Sequence, residues 1–296
     1  MRKVKIITDS CADLNSEMLE QYDIDYAKMS IQYNGNEYPA LLTWTAEEAH
    51  ELYEVMRSGK RIITAQVSMA EFERIFEKYV SEGYDVVYIS CSSKQSGSIN
   101  TGNIVARDIM KKYPEVKIIC IDSLNASIGE GMLAIEAAKL ARESKGAEEI
   151  AEIIISRRKK VQEFVTVHSL DALKRAGRVS ASSAFFGNIF GVKPIIVSDV
   201  DGTQAAYKKV KGRQTSLAEI VSLLKEKIVN PEEQTVYVAH GDCSEKEINR
   251  LTETIKSEIK CKDVAIWYIG PIVGASIGPD AVGVWGFGEE VTFKAQ

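Results

Sequence analysis

The chain has 296 residues, 45% hydrophobic and 27% charged, with a formal net charge of −5. That length favours two domains, each with a core of its own, and the acidic balance excludes a protein that grips nucleic acid through a basic surface. No apolar stretch approaches the ~18 residues of a membrane span, no signal peptide precedes the first strand, and the five cysteines (Cys11, Cys91, Cys120, Cys243, Cys261) form no C-x-x-C pair. The sequence therefore predicts a cytoplasmic chain with reduced thiols, no stable membrane insertion, no cofactor and no metal.

In chain order, Val4 to Asp9 reads as a strand, Leu14 to Tyr22 as a helix capped by Asp13, and Asp25 to Tyr33 as a strand entering an Asn34-Gly35 turn. Thr45-Ala46-Glu47-Glu48 is a capping box opening a helix through Met56, and Ser68 opens another through Val80. Tyr84 to Ile89 and Val116 to Ile121 are apolar runs that suit buried strands, and helices are expected from Ile99 to Met110, Ser127 to Glu143 and Ala147 to Lys160. Strands alternating with helices imply a parallel sheet covered on both faces. Beyond residue 160 the pattern changes. Glu163 to Val167 reads as a strand, Ser169 to Ala176 as a short helix, and Lys193 to Ser198 and Gln204 to Val210 as a hairpin through Asp201-Gly202. Strands Val236 to His240 and Val264 to Ile269 flank a helix from Glu245 to Ile259. The expectation is an α/β protein of two domains: a three-layer α/β/α parallel-sheet domain over residues 1–160 and an α+β domain with a mixed sheet over 161–296.

Ser90-Cys91-Ser92-Ser93-Lys94-Gln95-Ser96-Gly97-Ser98 concentrates five serines, a lysine and a glycine on a strand-to-helix turn. Such a turn aims backbone N–H groups and the positive end of a helix dipole at one spot, which suits an anion. It holds no His, Asp or Glu to activate a serine, so it is suited to holding a headgroup rather than attacking one. A serine-rich turn that merely caps its own helix is the plainer reading. Asp9-Ser10, Ser92-Ser93 and Asp122-Ser123 each end a predicted strand, which places them at the rim where open α/β sheets bind ligands. For Asp9 and Asp122, loop hydrogen bonding is an equal alternative. Thr64 and Gln66 stand in a loop before the Ser68 cap, where a hydroxyl is able to serve the same anion. His50, His168 and His240 are far apart, and P-loop, H-E-x-x-H, dinucleotide and G-x-S-x-G motifs are absent. Basic runs occur at 157–160 and from Lys208 to Arg213, the latter an edge-strand guard, a docking patch or a phosphate contact. The run Gly270 to Pro279 lets backbone approach a neighbour closely or forms a packed turn.

Taken together, Thr8-Asp9-Ser10, Thr64-Ala65-Gln66-Val67-Ser68, Ser92 to Ser98 and Asp122-Ser123 resemble the N-terminal motifs of the DegV family. Leu173 to Ser180, Lys193-Pro194, Lys209 to Arg213, His240-Gly241-Asp242 and Gly270 to Gly278 resemble its C-terminal ones. The resemblance implies a bacterial lipid-binding protein that holds a long-chain fatty acid between two domains and has no catalytic centre. Some members of that family present the acyl group to a separate fatty acid kinase subunit. By this resemblance Thr64 and Ser93 hold the carboxylate, with Ser92, Gln95, Gly97, Arg178 and Ser276 around it. Phe185, Phe186 and Ile189 wall an acyl tunnel, and Lys211 and Arg213 face the kinase. The chain departs from the family's pattern at Ala65 and Val67, at Gln95 where an apolar residue is usual, and at Ser276 where a histidine is frequent. A buried tail of roughly a dozen methylenes supplies on the order of 10 kcal/mol before ordering costs. Two rivals remain at this stage. One is an acyl or phosphoryl transferase with Ser93 as nucleophile and His240 as base; the other is a binder of a more polar small metabolite, suggested by Gln95 and Ser276.

Overall fold

The computed structural model describes residues 2–168, 173, 176–180 and 191–295. The chain divides into two compact units, Met1–Trp44 with Ile63–Lys159 and Thr45–Ile62 with Lys160–Gln296. The division is discontinuous, so the segment 45–62, which the sequence reading places with the first 160 residues, is part of the second unit.

The first unit carries β1 (Val4–Asp9), α1 (Ser16–Tyr22), β2 (Ile24–Ala27), β3 (Ser30–Tyr33) and β4 (Asn36–Pro39). After the excursion to the second unit, made by α2 (Ala46–Arg57), the chain continues with β5 (Ile63–Ala65), α3 (Met69–Val80), β6 (Asp85–Ser90), α4 (Ser98–Lys112), β7 (Ile118–Asp122), α5 (Ile128–Arg142) and α6 (Ala147–Arg157). Strands β2-β1-β6-β7 form a parallel sheet in that order. Helices α3 and α4 pack together as one layer against it, and α5 and α6 as the other. Every residue of β6 is buried, which is why its centre, Val86 to Ile89, reads as a continuous apolar run rather than an alternation.

Two details depart from the sequence reading. Residues 25–33 are not one strand: Ile24–Ala27 joins the parallel sheet, whereas Ser30–Tyr33 is the centre of a separate antiparallel sheet β4-β3-β5. The Ser10 side chain sits at the break, donating to Ala40 O at 2.6 Å and accepting the Met29 N–H at 2.9 Å. The cap of α1 is Asn15, which accepts the Met18 N–H, while Asp13 takes a left-handed conformation with φ 48°.

The second unit contains β8 (Val161–Thr166), β9 (Val179–Ser180), β10 (Val192–Ser198), β11 (Gln204–Lys211), α7 (Arg213–Lys227), β12 (Thr235–His240), α8 (Glu245–Ile259), β13 (Asp263–Tyr268), α9 (Pro271–Ile277) and β14 (Val282–Phe287). Its seven-stranded sheet, ordered β13-β12-β14-β8-β10-β11-β9, is mixed: β12–β13 and β11–β9 are parallel, and the other pairs are antiparallel. Ile195, Val238 and Val284 of the sheet pack with Ile220 and Leu224 of α7 and Leu251 and Ile255 of α8 in one core.

Helix α7 has no counterpart in the sequence reading. Its apolar positions Leu217, Ile220, Val221 and Leu224 do follow the helical period. Gly212, at φ 90°, turns the chain directly from β11 into the helix with no polar linker to announce it. The glycine run is also resolved: residues 271–277 are a helix. A Cβ at Gly274 would stand 2.6 Å from the Tyr53 hydroxyl oxygen, and one at Gly241 would stand 3.1 Å from the same ring. Tyr53 is fully buried and donates to Ile269 O at 2.8 Å. This ring anchors α2 to the second unit and explains the discontinuous division.

Candidate functional site: the hydroxyl-rich rim of the parallel sheet

The carboxyl ends of β1, β6 and β7 lie side by side, so the loops that follow them share one rim. Backbone bonds tie those loops together: Ser123 N–H donates to Ser90 O at 3.1 Å and Ser92 N–H to Asn125 O at 2.8 Å. Asp9 is fully buried and works as a brace. It accepts the Cys11 N–H at 2.9 Å, the Tyr88 hydroxyl at 2.7 Å and the Cys91 N–H at 3.2 Å. Burial pushes its carboxyl up from the ordinary range, against the pull of these donors. The structural alternative therefore applies to Asp9.

Asp122 has a different role. Its Oδ1 accepts the Ser93 N–H at 3.1 Å and the Leu124 N–H at 3.0 Å, which fixes the start of the serine loop. Arg158 in turn donates to the Asp122 carbonyl at 2.6 Å, and the Asn125 amide donates to the Arg158 carbonyl at 3.0 Å. The sequence reading explains Arg158 only as a cation at a helix end; its bond to β7 needs the fold to be visible. Replacing Asp122 with Ala removes the acceptor of two loop N–H groups. The expected cost is about 1–3 kcal/mol of stability, measured by denaturant unfolding, with backbone amide exchange at Ser93 faster than in the wild type.

The serine loop then enters α4. Gly97 is the N-cap and supplies no side-chain cap, Ser96 Oγ accepts the Ser98 N–H at 3.2 Å, and no acidic residue occupies the first turn, which suits an anion near the helix start. The segment after β5 runs beside this helix start. Val67 N–H donates to Ser98 Oγ at 3.2 Å, and Gln66 Nε2 donates to Thr101 Oγ1 at 2.8 Å. A Cβ at Gly97 would stand 2.1 Å from Gln66 Oε1, so glycine leaves room for that side-chain amide. These two bonds tie the segment that follows Thr64 to the first turn of the helix that follows the Ser93 loop. Thr64 is half-buried in β5 and Ser93 is exposed. Neither hydroxyl makes a hydrogen bond among the described residues. Ser92 is buried and braces the loop, accepting the Lys94 N–H at 3.2 Å. The Gln95 amide nitrogen is buried without a hydrogen-bond partner among the described residues.

The remaining expected site residues lie in the second unit. Arg178 is exposed and donates to Ala176 O at 2.7 Å. Ser276 is half-buried on α9. Phe185, Phe186 and Ile189 fall outside the described residues. Lys211 is exposed at the end of β11. Arg213, expected to face a partner, is largely turned inward. Its side chain is 17% exposed, forks onto Glu247 with Nη2–Oε1 at 2.5 Å, and approaches Cys243 Sγ at 3.5 Å. One residue beyond Gly212, the chain has already turned into α7 and carries the guanidinium with it.

His240 offers little as a base. It is 8% exposed, its ring lies 4.6 Å from that of Tyr268, and Nδ1 accepts the Cys243 N–H at 3.2 Å. Burial lowers its pKa to about 4. Because the unfolded chain takes up this proton near pH 6.5, the stability contribution is complete above that pH and is lost as pH falls toward 4. Unfolding free energy should drop by about 3 kcal/mol across that window. His240→Asn, which keeps an acceptor for Cys243, should flatten that part of the pH profile.

A family model described as "Uncharacterised protein, DegV family" matches residues 3–288. The chain belongs to the DegV family. A DegV domain-containing protein of Clostridium perfringens is 34% identical, over 98% of this chain and 99% of its own. Among solved structures, a DegV lipid binding protein of Thermotoga maritima is 26% identical with a TM-score of 0.83, covering 98% of this chain and 100% of its own. DegV of Bacillus subtilis, described as a fatty acid binding protein, is 25% identical with the same TM-score of 0.83, covering 97% of this chain and 100% of its own. The DegV fold thus accounts for the parallel-sheet unit and the separate mixed-sheet unit together. No described helix is long and apolar enough to cross a membrane.

Proposed function

We propose that this DegV protein binds a long-chain fatty acid, with Thr64 and Ser93 holding the carboxylate, and presents it to a separate fatty acid kinase subunit. One observation carries the headgroup reading. Thr64 and Ser93, whose hydroxyls make no hydrogen bond among the described residues, precede segments joined through Val67–Ser98 and Gln66–Thr101 at a helix start with no acidic residue in its first turn. A carboxylate accepts hydrogen bonds from hydroxyls and helix N–H groups alike. The fatty-acid-binding and lipid-binding relatives, alike over the whole chain, supply the acyl tail to this reading. The Ser93 hydroxyl has no base hydrogen-bonded to it among the described residues, which favours a holder of headgroups over a serine nucleophile. Lys211 is the exposed cation proposed to meet the kinase subunit; Arg213, paired to Glu247, is withdrawn from that role.

Mass spectrometry of an organic extract from the unfolded, purified protein tests the reading. A stoichiometric C14 to C18 fatty acid is the expected outcome. An empty extract, followed by no uptake of added fatty acid, overturns it and would make the polar substitution Gln95 the place to look for another ligand.

A further inference from the structure

Behind the hydroxyl-rich rim, in the interior of the first unit, two thiols and a carboxylate converge. Cys11 follows β1, Cys91 follows β6 and Glu130 lies in the first turn of α5; strand order, not sequence, brings them together. One ligating atom from each lies within 4.8 Å of those of the other two. All three are buried: Glu130 is 0% exposed and both cysteines no more than 3%. Glu130 Oε1 is occupied, accepting from the Thr8 hydroxyl at 2.7 Å and from the Asp9 N–H at 3.4 Å. Its other oxygen, Oε2, is buried with no hydrogen-bond partner among the described residues. A carboxylate oxygen in that position costs free energy unless a proton donor or a cation meets it.

We propose that Cys11, Cys91 and Glu130 bind a thiophilic divalent cation, for which zinc is the natural probe. Two sulfurs and one carboxylate oxygen make a donor set that zinc accepts in tetrahedral geometry, and that magnesium or calcium, which want oxygen ligands only, would not. Binding forms two metal–sulfur bonds and one metal–oxygen bond, with water in the fourth tetrahedral position, and the two thiol protons and the Glu130 carboxyl proton leave to solvent. Thr8 is a positioning residue, since its hydroxyl orients the glutamate by holding Oε1. Asp9 stands beside the cluster as a further negative group, held in place by Tyr88, Cys11 and Cys91. Because Cys91 directly precedes Ser92 and Ser93, such a cation would tie β1, β6 and α5 together at the base of the rim.

The test uses the whole reduced protein, stripped with a chelator and titrated with Co²⁺ and then Zn²⁺. One equivalent of cobalt with thiolate-to-metal charge-transfer absorption, displaced by zinc, is expected. In Glu130→Gln, zinc affinity should fall by at least about tenfold, and in Cys11→Ser/Cys91→Ser the charge-transfer bands should vanish. Should these buried variants fail to fold, X-ray absorption of the zinc-loaded wild type decides. Two sulfurs at about 2.3 Å with oxygen at about 2.0 Å support the proposal. A shell without two sulfurs, or a reduced protein that takes up neither metal stoichiometrically, overturns it.

Discussion

Replacing Thr64 and Ser93 together with alanine is expected to weaken long-chain fatty-acid binding roughly 100-fold or more. A hydrogen bond to a charged acceptor contributes about 1.5–3 kcal/mol, and each 1.4 kcal/mol is about tenfold in affinity. Two such bonds therefore outweigh the loss of either alone. Neither hydroxyl braces the protein, in contrast to Ser92 and Ser10, so the double variant should unfold at nearly the same denaturant concentration as the wild type. This separation is what makes the experiment informative. Titration of delipidated protein with a C16 fatty acid measures the effect. An affinity within about threefold of the wild type would remove both residues from the headgroup site, while leaving membership of the DegV family untouched.

The second large effect concerns stability. Tyr53→Ala should cost about 3–5 kcal/mol, the range for truncating a buried aromatic ring. The ring fills space that Gly241 and Gly274 leave open, so the surrounding backbone has little to collapse with. Tyr53→Phe keeps the ring and loses the bond to Ile269 O, for an expected cost of about 1–3 kcal/mol. Chemical denaturation of the three proteins gives both numbers. If Tyr53→Ala cost no more than Tyr53→Phe, α2 would not be held through this ring. Arg57, bonded to Asp242 at 2.6 Å and Asp280 at 3.0 Å, and His50, at 2.9 Å from Asp242, would then be the groups to replace next.

Two buried titrating groups of the second unit, Glu163 and His240, act in opposite directions. Glu163, fully buried beneath Trp285 and accepting its indole N–H at 3.1 Å, has its pKa raised by burial to about 7. Its contribution is complete below the ordinary carboxylate pKa and is lost as pH rises through 7. His240 contributes above pH 6.5 and loses its contribution toward pH 4. The second unit is thus disfavoured at both ends, for separate reasons located on β8 and β12.

Periodicity and local chemistry were enough, from the sequence alone, for the alternating first half, the mixed second half and the hydroxyl-rich loop. Each depends on residues close in the chain. A strand buried on both faces must be apolar throughout, as Asp85 to Ser90 nearly is, and a helix must be capped, as Thr45 and Ser68 show. The family motifs, being short and ordered, were legible for the same reason. Tertiary structure alone decided which distant groups meet. That α2 belongs with the second unit follows from a tyrosine seated against two glycines. Arg213 turns inward to Glu247 because Gly212 redirects the chain. Asp9 braces the rim while Asp122 holds the Ser93 loop, although both end a strand with the same Asp-Ser pair. Cys11, Cys91 and Glu130 converge only through the strand order β2-β1-β6-β7. Neighbours across a parallel sheet are set by crossover connections, and no local pattern in the sequence encodes them.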